Sequence, residues 1–297
     1  MNTSPPATTP SSHDWERVYA QEAARRRRNT WVGLAALVAL FCIAGPLAEV
    51  KPQVFFQQLG GFMSYLQRIA PDISAANPVE DVREWYWGLG HWLVLLGQTL
   101  LIAYLGTLLG VLGGFALSFL ASANLAPSPR MRFVARRLAE FCRTVPDMVF
   151  ALLFVVAFGI GPMAGVLALA VHTVGALCKL FAEAVENIDM KPVDGILAAG
   201  GSWRQTVRYA VLPQVAPNFT SYAMLRFDIN VRAASIMGFV GAGGIGEQLM
   251  VAIRQFYYTD VSAILLLIIA TVMLIDFASE RLRRMLAAGN VAREKHA

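Results

Sequence analysis

The stretch GFVGAGGIG, residues 238–246, has glycines at the spacing of a dinucleotide-binding loop. Gly241, Gly243 and Gly246 form G-x-G-x-x-G, and Asp260 follows at about the distance of a ribose-binding carboxylate. That chemistry requires a strand before the glycine turn and a helix after it, within a soluble βαβ unit. The composition argues against such a unit, because 56% of the residues are hydrophobic and 15% are charged, whereas an ordinary soluble domain is roughly one quarter charged. We therefore expect these glycines to serve close backbone packing.

A second group of candidate residues lies in the apolar segment 214–240, which contains Arg226, Asp228 and Arg232. Inside a bilayer an unpaired charge costs at least ~2.5–3.5 kcal/mol, so these side chains must pair or face water. Asp228 and Arg232 lie one helical turn apart and are predicted to form an ion pair, with a structural and a substrate-contacting role both open. Arg226 points to roughly the opposite side, near Asn230, and its planar guanidinium suits the oxygens of an anion.

Six apolar helices are predicted to position these residues. A spanning helix needs about 20 mostly apolar residues, and Gly-Ile-Gly-Pro at 159–162 divides one long apolar run into two spans. The predicted spans are 30–48, 92–120, 141–159, 162–181, 214–240 and 257–277. The fold class is therefore all-α, a polytopic membrane protein with six transmembrane helices.

The positive charges predict the orientation of these helices. Nineteen of the 25 Lys and Arg residues lie in the two termini and the alternate loops that share their side of the membrane, whereas four lie in the other loops. The excess marks the cytoplasmic face, so both termini are predicted to be cytoplasmic. This topology accounts for the excess of basic over acidic residues in the chain, and nucleic acid is not indicated as a partner.

The polar segment 183–213 is predicted to form a cytoplasmic projection. Residues 193–199 are expected to be helical, Gly200–Gly201 to form a turn, and Ser202 to cap a second helix that ends at Leu212–Pro213. Two short helices that meet at a glycine corner make a rigid knob, which a soluble protein would receive.

This segment resembles the coupling segment, or EAA loop, of type I ABC importer permeases. In that family an acidic residue and two small residues precede a glycine, and a Leu-Pro pair follows about a dozen residues later. In this chain Asp stands for the usual Glu, and Gly-Ile stands for Ala-Ala. The resemblance implies contact with an ATPase through Asp194, Gly195, Gly200, Gly201, Leu212 and Pro213.

Longer stretches are similar to phosphonate transporter permeases within that superfamily. They are RTVPDMVFALLFVVAFGIGPMAGVLAL (143–169), EAVENID (183–189), RYAVLPQVAP (208–217), RFDINVRAASIMGFVGAGGIG (226–246) and LIIATVMLIDFASERLRR (267–284). The resemblance implies a type I ABC importer permease fold in a bacterial inner membrane. It also implies two copies of the permease, two cytoplasmic ATPase subunits, an external substrate-binding protein and a phosphonate-type anion moved by alternating access.

The 297 residues contain no G-x-x-x-x-G-K-[ST], so ATP hydrolysis is expected on a partner subunit, and neither enzymatic activity nor a cofactor is expected here. Phosphite, hypophosphite and phosphate esters remain alternative substrates. A membrane enzyme using Asp147 and His172 is a less favoured alternative, because the sequence has no metal-ligand spacing and contains the coupling segment. A secondary transporter is also less favoured, because the knob would have no receiver.

The expected organisation follows from these assignments. Its segments are a cytoplasmic tail (1–29), a first anchor helix (30–50), an external loop (51–91), the transport core (92–277) with the coupling segment at 183–213, and a second cytoplasmic tail (278–297).

Overall fold

The computed structural model describes residues 12–49, 51–71, 73–74 and 76–294, and all regular structure in these ranges is helical. This confirms the all-α prediction. The helices are α1 (Ser12–Leu47), α2 (Pro52–Ile69), α3 (Pro78–Trp85), α4 (Leu89–Ala121), α5 (Pro129–Thr144), α6 (Asp147–Phe158), α7 (Pro162–Glu186), α8 (Lys191–Ala198), α9 (Trp203–Thr206), a π-helical turn (Val207–Val211), α10 (Leu212–Met237), a 3-10 turn (Gly238–Val240), α11 (Ile245–Arg254) and α12 (Tyr258–Glu294).

Within the described ranges, four helices are long and apolar enough to cross a membrane: the Gln21–Leu47 part of α1, α4, α7 and the Tyr258–Met285 part of α12. Two bent pairs meet the same test together. They are α5 with α6, bent by 87°, and Trp203–Val240 with α11, bent by 44°. The total is six, as predicted, if each bent pair is one span.

The predicted straight span 141–159 is wrong, because the chain turns sharply between α5 and α6. Val145 is extended (φ −73°, ψ 124°), as expected for a residue that precedes a proline. Pro146 has no amide hydrogen to continue the helix, and α6 starts afresh at Asp147. The break at Gly159–Pro162 is where the sequence predicts it, since α6 ends at Phe158 and α7 begins at Pro162.

The chain divides into two compact units, residues 1–67 and 68–297. The described residues of the first unit form α1 and most of α2. The stretch 51–91, interpreted from the sequence as a loop, contains α2, α3 and the start of α4. Of the predicted tails, 12–29 belong to α1 and 278–294 to α12, while 1–11 and 295–297 lie outside the described residues.

The second unit has a core of α4, α7 and α10, whose backbones approach closely at small residues. A Cβ on Gly106 of α4 would lie 2.6 Å from the Leu169 Cβ of α7, and one on Gly110 of α4 would overlap the Thr173 side chain of α7. In membrane bundles small residues at contacts of this kind allow van der Waals packing and hydrogen bonds between helices.

The glycine-rich stretch 238–246 is a packed turn that follows a helix. Gly241, Gly243 and Gly244 have φ of +83°, +80° and +82°, a conformation that favours glycine. The Gly161 amide donates to the Gly241 carbonyl over 2.9 Å. A Cβ on Gly246 would overlap the Ser235 carbonyl oxygen. No strand enters this described turn, so its glycines serve backbone packing, in agreement with the sequence interpretation.

Candidate functional site

The coupling knob, residues 191–213, turns at Gly200 and Gly201. Gly200 has a φ of +80°, and its amide donates to the Leu197 carbonyl over 3.0 Å. The Gly201 amide donates to the Ile196 carbonyl over 2.9 Å, and a Cβ on Gly201 would overlap the Ile196 side chain. The turn therefore needs Gly200 for its positive φ, and it needs Gly201 because a larger residue would overlap Ile196.

The second helix of the knob does not end at Leu212–Pro213, which corrects the sequence prediction. Its first residues, α9, are capped by Gln205, whose side-chain oxygen accepts from the Ser202 amide over 2.7 Å. The helix then widens into the π turn Val207–Val211, and the Leu212 amide bonds to the Val207 carbonyl. Pro213 follows in the first turn of α10, where its missing amide hydrogen is tolerated because the wide turn has already shifted the bonding register.

Buried and hydrogen-bonded anchors fix the knob to the helical bundle. Val193 is 1% exposed and belongs to an apolar cluster with α7 and α10 residues. The Trp203 Nε1 donates to the Leu125 carbonyl over 3.0 Å. The Gln214 Oε1 accepts from the Asp189 amide over 3.0 Å. These contacts make the knob a rigid extension of the bundle, as the sequence predicts.

The outer surface of the knob is exposed and mixed in character. Asp194, Gly195 and Gly200 are exposed, and the Asp194 carboxylate makes no hydrogen bond or ion pair with the described residues. Leu197 and Tyr209 are also exposed. Apolar side chains exposed beside unpaired charges are typical of an interaction surface.

Buried and half-buried polar side chains join α4, α7 and α10 near their middles, and we call them the central polar layer: Thr107, His172, Thr173, Arg226 and Asn230. Asn230 is fully buried, and its Nδ2 donates to the Thr107 Oγ1 over 2.8 Å and to the Thr173 Oγ1 over 3.0 Å. The Arg226 Nε donates to the Thr173 Oγ1 over 3.4 Å. Sequence reasoning missed Thr107 because its partner is distant in the chain.

Arg226 also bonds to His172, through a terminal guanidinium nitrogen and the imidazole Nδ1. Arginine can only donate, so this Nδ1 must be the acceptor, and the bonded imidazole carries no charge. Arg226 is therefore held in place without a neutralising acid in direct contact within the described residues.

Asp228 and Arg232 do not pair with each other, so the predicted ion pair is wrong. The Arg283 Nη2 lies 3.7 Å from the Asp228 Oδ2, and the Arg232 Nη1 lies 3.2 Å from the Asp276 Oδ2. The cause is α12, which packs along α10 and brings an opposite charge to each residue. Asp276, an acid at the end of the apolar run VMLIDF, is the sequence signal that could have indicated these partners.

One side of α10 is exposed along its length and carries charge. Asp228 and Arg226 lie on opposite flanks of this exposed stripe. Arg232 lies within the stripe, and the side chains of Arg232 and Asp276 are 48% and 47% exposed. The stripe consists of Asn218, Leu225, Ile229, Arg232 and Ile236. Charges exposed within an apolar span are costly in lipid, so water or protein is the favoured cover for this face.

Sequence comparisons identify a transport family. The family described as "Binding-protein-dependent transport system inner membrane component" matches residues 107–290. The phosphite transport system permease protein PtxC of Stutzerimonas stutzeri is 44% identical over 66% of this chain and 72% of its own length. The phosphate-import permease protein PhnE of Mycolicibacterium smegmatis is 41% identical over 65% of this chain, which spans 36% of that relative.

The fold is similar to that of chains in solved ABC transporters. A chain of the MetNI methionine ABC transporter in inward-facing conformations matches with a TM-score of 0.57 and 22% sequence identity, covering 67% of this chain and 96% of its own length. A chain of an amino acid ABC transporter matches with a TM-score of 0.54 and 18% identity, covering 67% of this chain and 98% of that chain. These likenesses support the predicted type I ABC importer permease fold.

Proposed function

Since the chain belongs to the family of binding-protein-dependent transport system inner membrane components, we propose that it is the permease subunit of an ATP-driven importer of phosphonate-type oxyanions. The likeness to permeases named for phosphite and phosphate supports a phosphorus oxyanion as the substrate. Phosphite, hypophosphite and phosphate esters are the alternatives within that class.

The coupling knob is the observation that carries this proposal. It is rigidly attached through Val193 and Trp203, and it exposes Asp194, which has no ion-pair or hydrogen-bond partner among the described residues. A cytoplasmic ATPase that receives the knob could move the bundle through these anchors, with Gly195, Gly200 and Gly201 shaping the contact. Leu212 and Pro213 then carry the movement into α10 instead of ending the knob helix.

The exposed stripe of α10 is the proposed transport path, completed by a second copy of the chain. Arg226 and Arg232 supply positive charge for an anion, while Asp228 is largely a structural partner of Arg283. An external binding protein would deliver the substrate, and alternating access would move it past these residues.

In the membrane, residues 92–277 form the transport core of the proposed importer, with 30–50 as an anchor and both termini in the cytoplasm. The charge asymmetry of the loops supports this orientation. Reporter fusions at Asn124 and Lys191 should give a cytoplasmic signal, and a fusion at Ser74 an external one. An external signal at Lys191 would contradict the proposal, because the knob would then face away from ATP.

The functional test is uptake of methylphosphonate by cells that express the permease with its ATPase and binding protein. Uptake should require the ATPase, and uptake without it would favour a secondary transporter. Arg226→Gln should reduce uptake at normal abundance and normal ATPase assembly, while Arg226→Lys should restore it in part, because a lysine lacks the planar pair of donors. Arg137→Gln, which alters an exposed pair with Glu140, is the matched control and should transport normally.

A further inference from the structure

Asp147 lies at the level of the central polar layer. It is the first residue of α6, and Phe150 and Ala151, one turn further on, pack in one cluster with Ala168 of α7. Because α6 and α7 run in opposite directions, Asp147 comes close to His172, one turn after Ala168. Asp147 interacts electrostatically with both His172 and Arg226, yet it forms no direct ion pair with Arg226 among the described residues.

The three side chains Asp147, His172 and Arg226 combine one negative charge, one positive charge and a neutral imidazole. The Asp147 Oδ1 accepts from the Met148 amide over 2.9 Å, and its Oδ2 accepts no hydrogen bond from the described residues. Arg226 uses Nε for Thr173 and one terminal nitrogen for His172, which leaves its other terminal nitrogen without a partner in the described chain. The group therefore offers an unused donor and an unused acceptor on half-buried side chains that form no ion pair with each other among the described residues.

A ligand that binds both side chains must accept a hydrogen bond from Arg226 and donate one to Asp147. A phosphate-type group has a second pKa of about 6, so part of it still carries a P–OH proton at neutral pH. Sulfate has the same tetrahedral shape and no such proton. The Asp147 carboxylate can only accept hydrogen bonds, so it would repel sulfate and would remain without a hydrogen bond if sulfate were bound.

We propose that Asp147 and Arg226 form a selectivity site for phosphorus oxyanions that carry a P–OH group, and that this site rejects sulfate. The Arg226 guanidinium attracts the anion, and the Asp147 carboxylate accepts a hydrogen bond only from an anion that carries a proton. His172 is a positioning residue that holds the Arg226 guanidinium through its Nδ1. This inference rests on the proposed function, and it places part of the substrate discrimination in the permease in addition to the binding protein.

The test uses the solubilised assembly of permease and ATPase without the binding protein. Its thermal unfolding is followed by tryptophan fluorescence while methylphosphonate, inorganic phosphate or sulfate is added. The two phosphorus anions should raise the unfolding midpoint at concentrations at least ~10-fold below that of sulfate, because the site is built to bond a hydroxyl. Asp147→Asn should bring sulfate within about threefold of phosphate, since an amide can also donate.

The matched control is Glu140→Gln, which removes an acid of α5 paired with Arg137 and should keep the wild-type preference. Arg226→Gln should abolish stabilisation by all three anions. Equal stabilisation of the wild type by phosphate and sulfate would overturn the inference even if Asp147→Asn fails to assemble. Unchanged discrimination in Asp147→Asn would also overturn it.

The two proposals fail in distinguishable ways. ATP-dependent methylphosphonate uptake by the complete importer, combined with no discrimination by the solubilised assembly, would refute the selectivity site and leave the proposed function intact. Absence of ATP-dependent uptake of any phosphorus oxyanion would refute the proposed function itself.

Discussion

The coupling knob and the central polar layer differ in their exposure and in the interactions that fix their shape. The knob keeps Asp194 and Tyr209 exposed and owes its shape to a backbone turn at Gly200. The layer hides Asn230 completely and owes its shape to side chains bonded across three helices. A change in the knob should therefore affect function more than folding, whereas a change at the fully buried Asn230 of the layer should affect folding first.

The largest effect that would test this contrast is expected from Gly200→Val. No atom lies within 4 Å of a Cβ at this position, so the substitution acts through the backbone φ of +80°, which a β-branched residue resists. Uptake should be abolished while the protein still reaches the membrane, and the ATPase should bind poorly or hydrolyse ATP without transport. Gly90→Ala, at an exposed helical position of α4 with open space, is the matched control. Normal uptake by Gly200→Val would contradict the EAA-loop interpretation.

The next largest effect is expected on stability, from the charge of Asp228 beside the exposed stripe of α10. Asp228 is almost fully buried, so Asp228→Asn leaves Arg283 without its acid and should cost about 3–5 kcal/mol. Membrane abundance and thermal unfolding in detergent measure this loss. The double variant Asp228→Asn with Arg283→Gln should recover part of the stability, as coupled residues do in a double-mutant cycle.

Arg232→Gln is the control for that charge pair, because its partner Asp276 is about half exposed. Its stability loss should be about 0–1 kcal/mol. An equal loss in Asp228→Asn and Arg232→Gln would show that burial does not distinguish the two ion pairs.

A smaller loss of stability is expected from a substitution in the central polar layer. Asn230→Ala removes the donor shared by Thr107 and Thr173 and leaves a small cavity, so unfolding should become easier by about 1–3 kcal/mol. ATPase coupling per assembled complex should stay normal. A variant with full stability and uncoupled hydrolysis would break the contrast between the two regions.

The smallest effect is expected from Trp203→Phe in the knob. It removes the hydrogen bond to the Leu125 carbonyl and keeps most of the apolar contact, at a cost of about 0.5–1.5 kcal/mol. The loss should be visible as weaker coupling of ATP hydrolysis to uptake, while the unfolding midpoint changes little. Trp31→Phe, in the first unit, provides a tryptophan control with no expected effect on coupling.

How far the sequence predicts each region follows from the range of its contacts. The knob turn depends on neighbours within five residues, such as Gly201 against Ile196, and local motifs identify it. The break at Gly159–Pro162 likewise depends on residues that are close in sequence. The predicted end at Leu212–Pro213 fails because a π turn, which has no simple sequence signature, accommodates the proline.

The partners of the intramembrane charges are long-range, and sequence reasoning misassigned them. Arg232 and Asp276 are 44 residues apart, and the single-helix geometry used for Asp228 contains no information about α12. The bend at Val145–Pro146 was missed for another reason, since the apolar composition of 141–159 outweighed a proline signal that was present. Burial depth and helix neighbours are set by the bundle as a whole, and one sequence does not reveal them.

The π turn at Val207–Val211 also has a mechanical consequence. It holds one residue more than an α turn, and that residue corresponds to about 100° of helical phase. Hydrogen bonds hold Trp203 before the π turn and Asn230 after it, so the π turn fixes the angle between the side chains of the knob and those of α10. The extra residue therefore decides which side of α10 lies in line with a given side of the knob, and its removal would turn Arg226 and Asn230 by about 100° relative to Trp203.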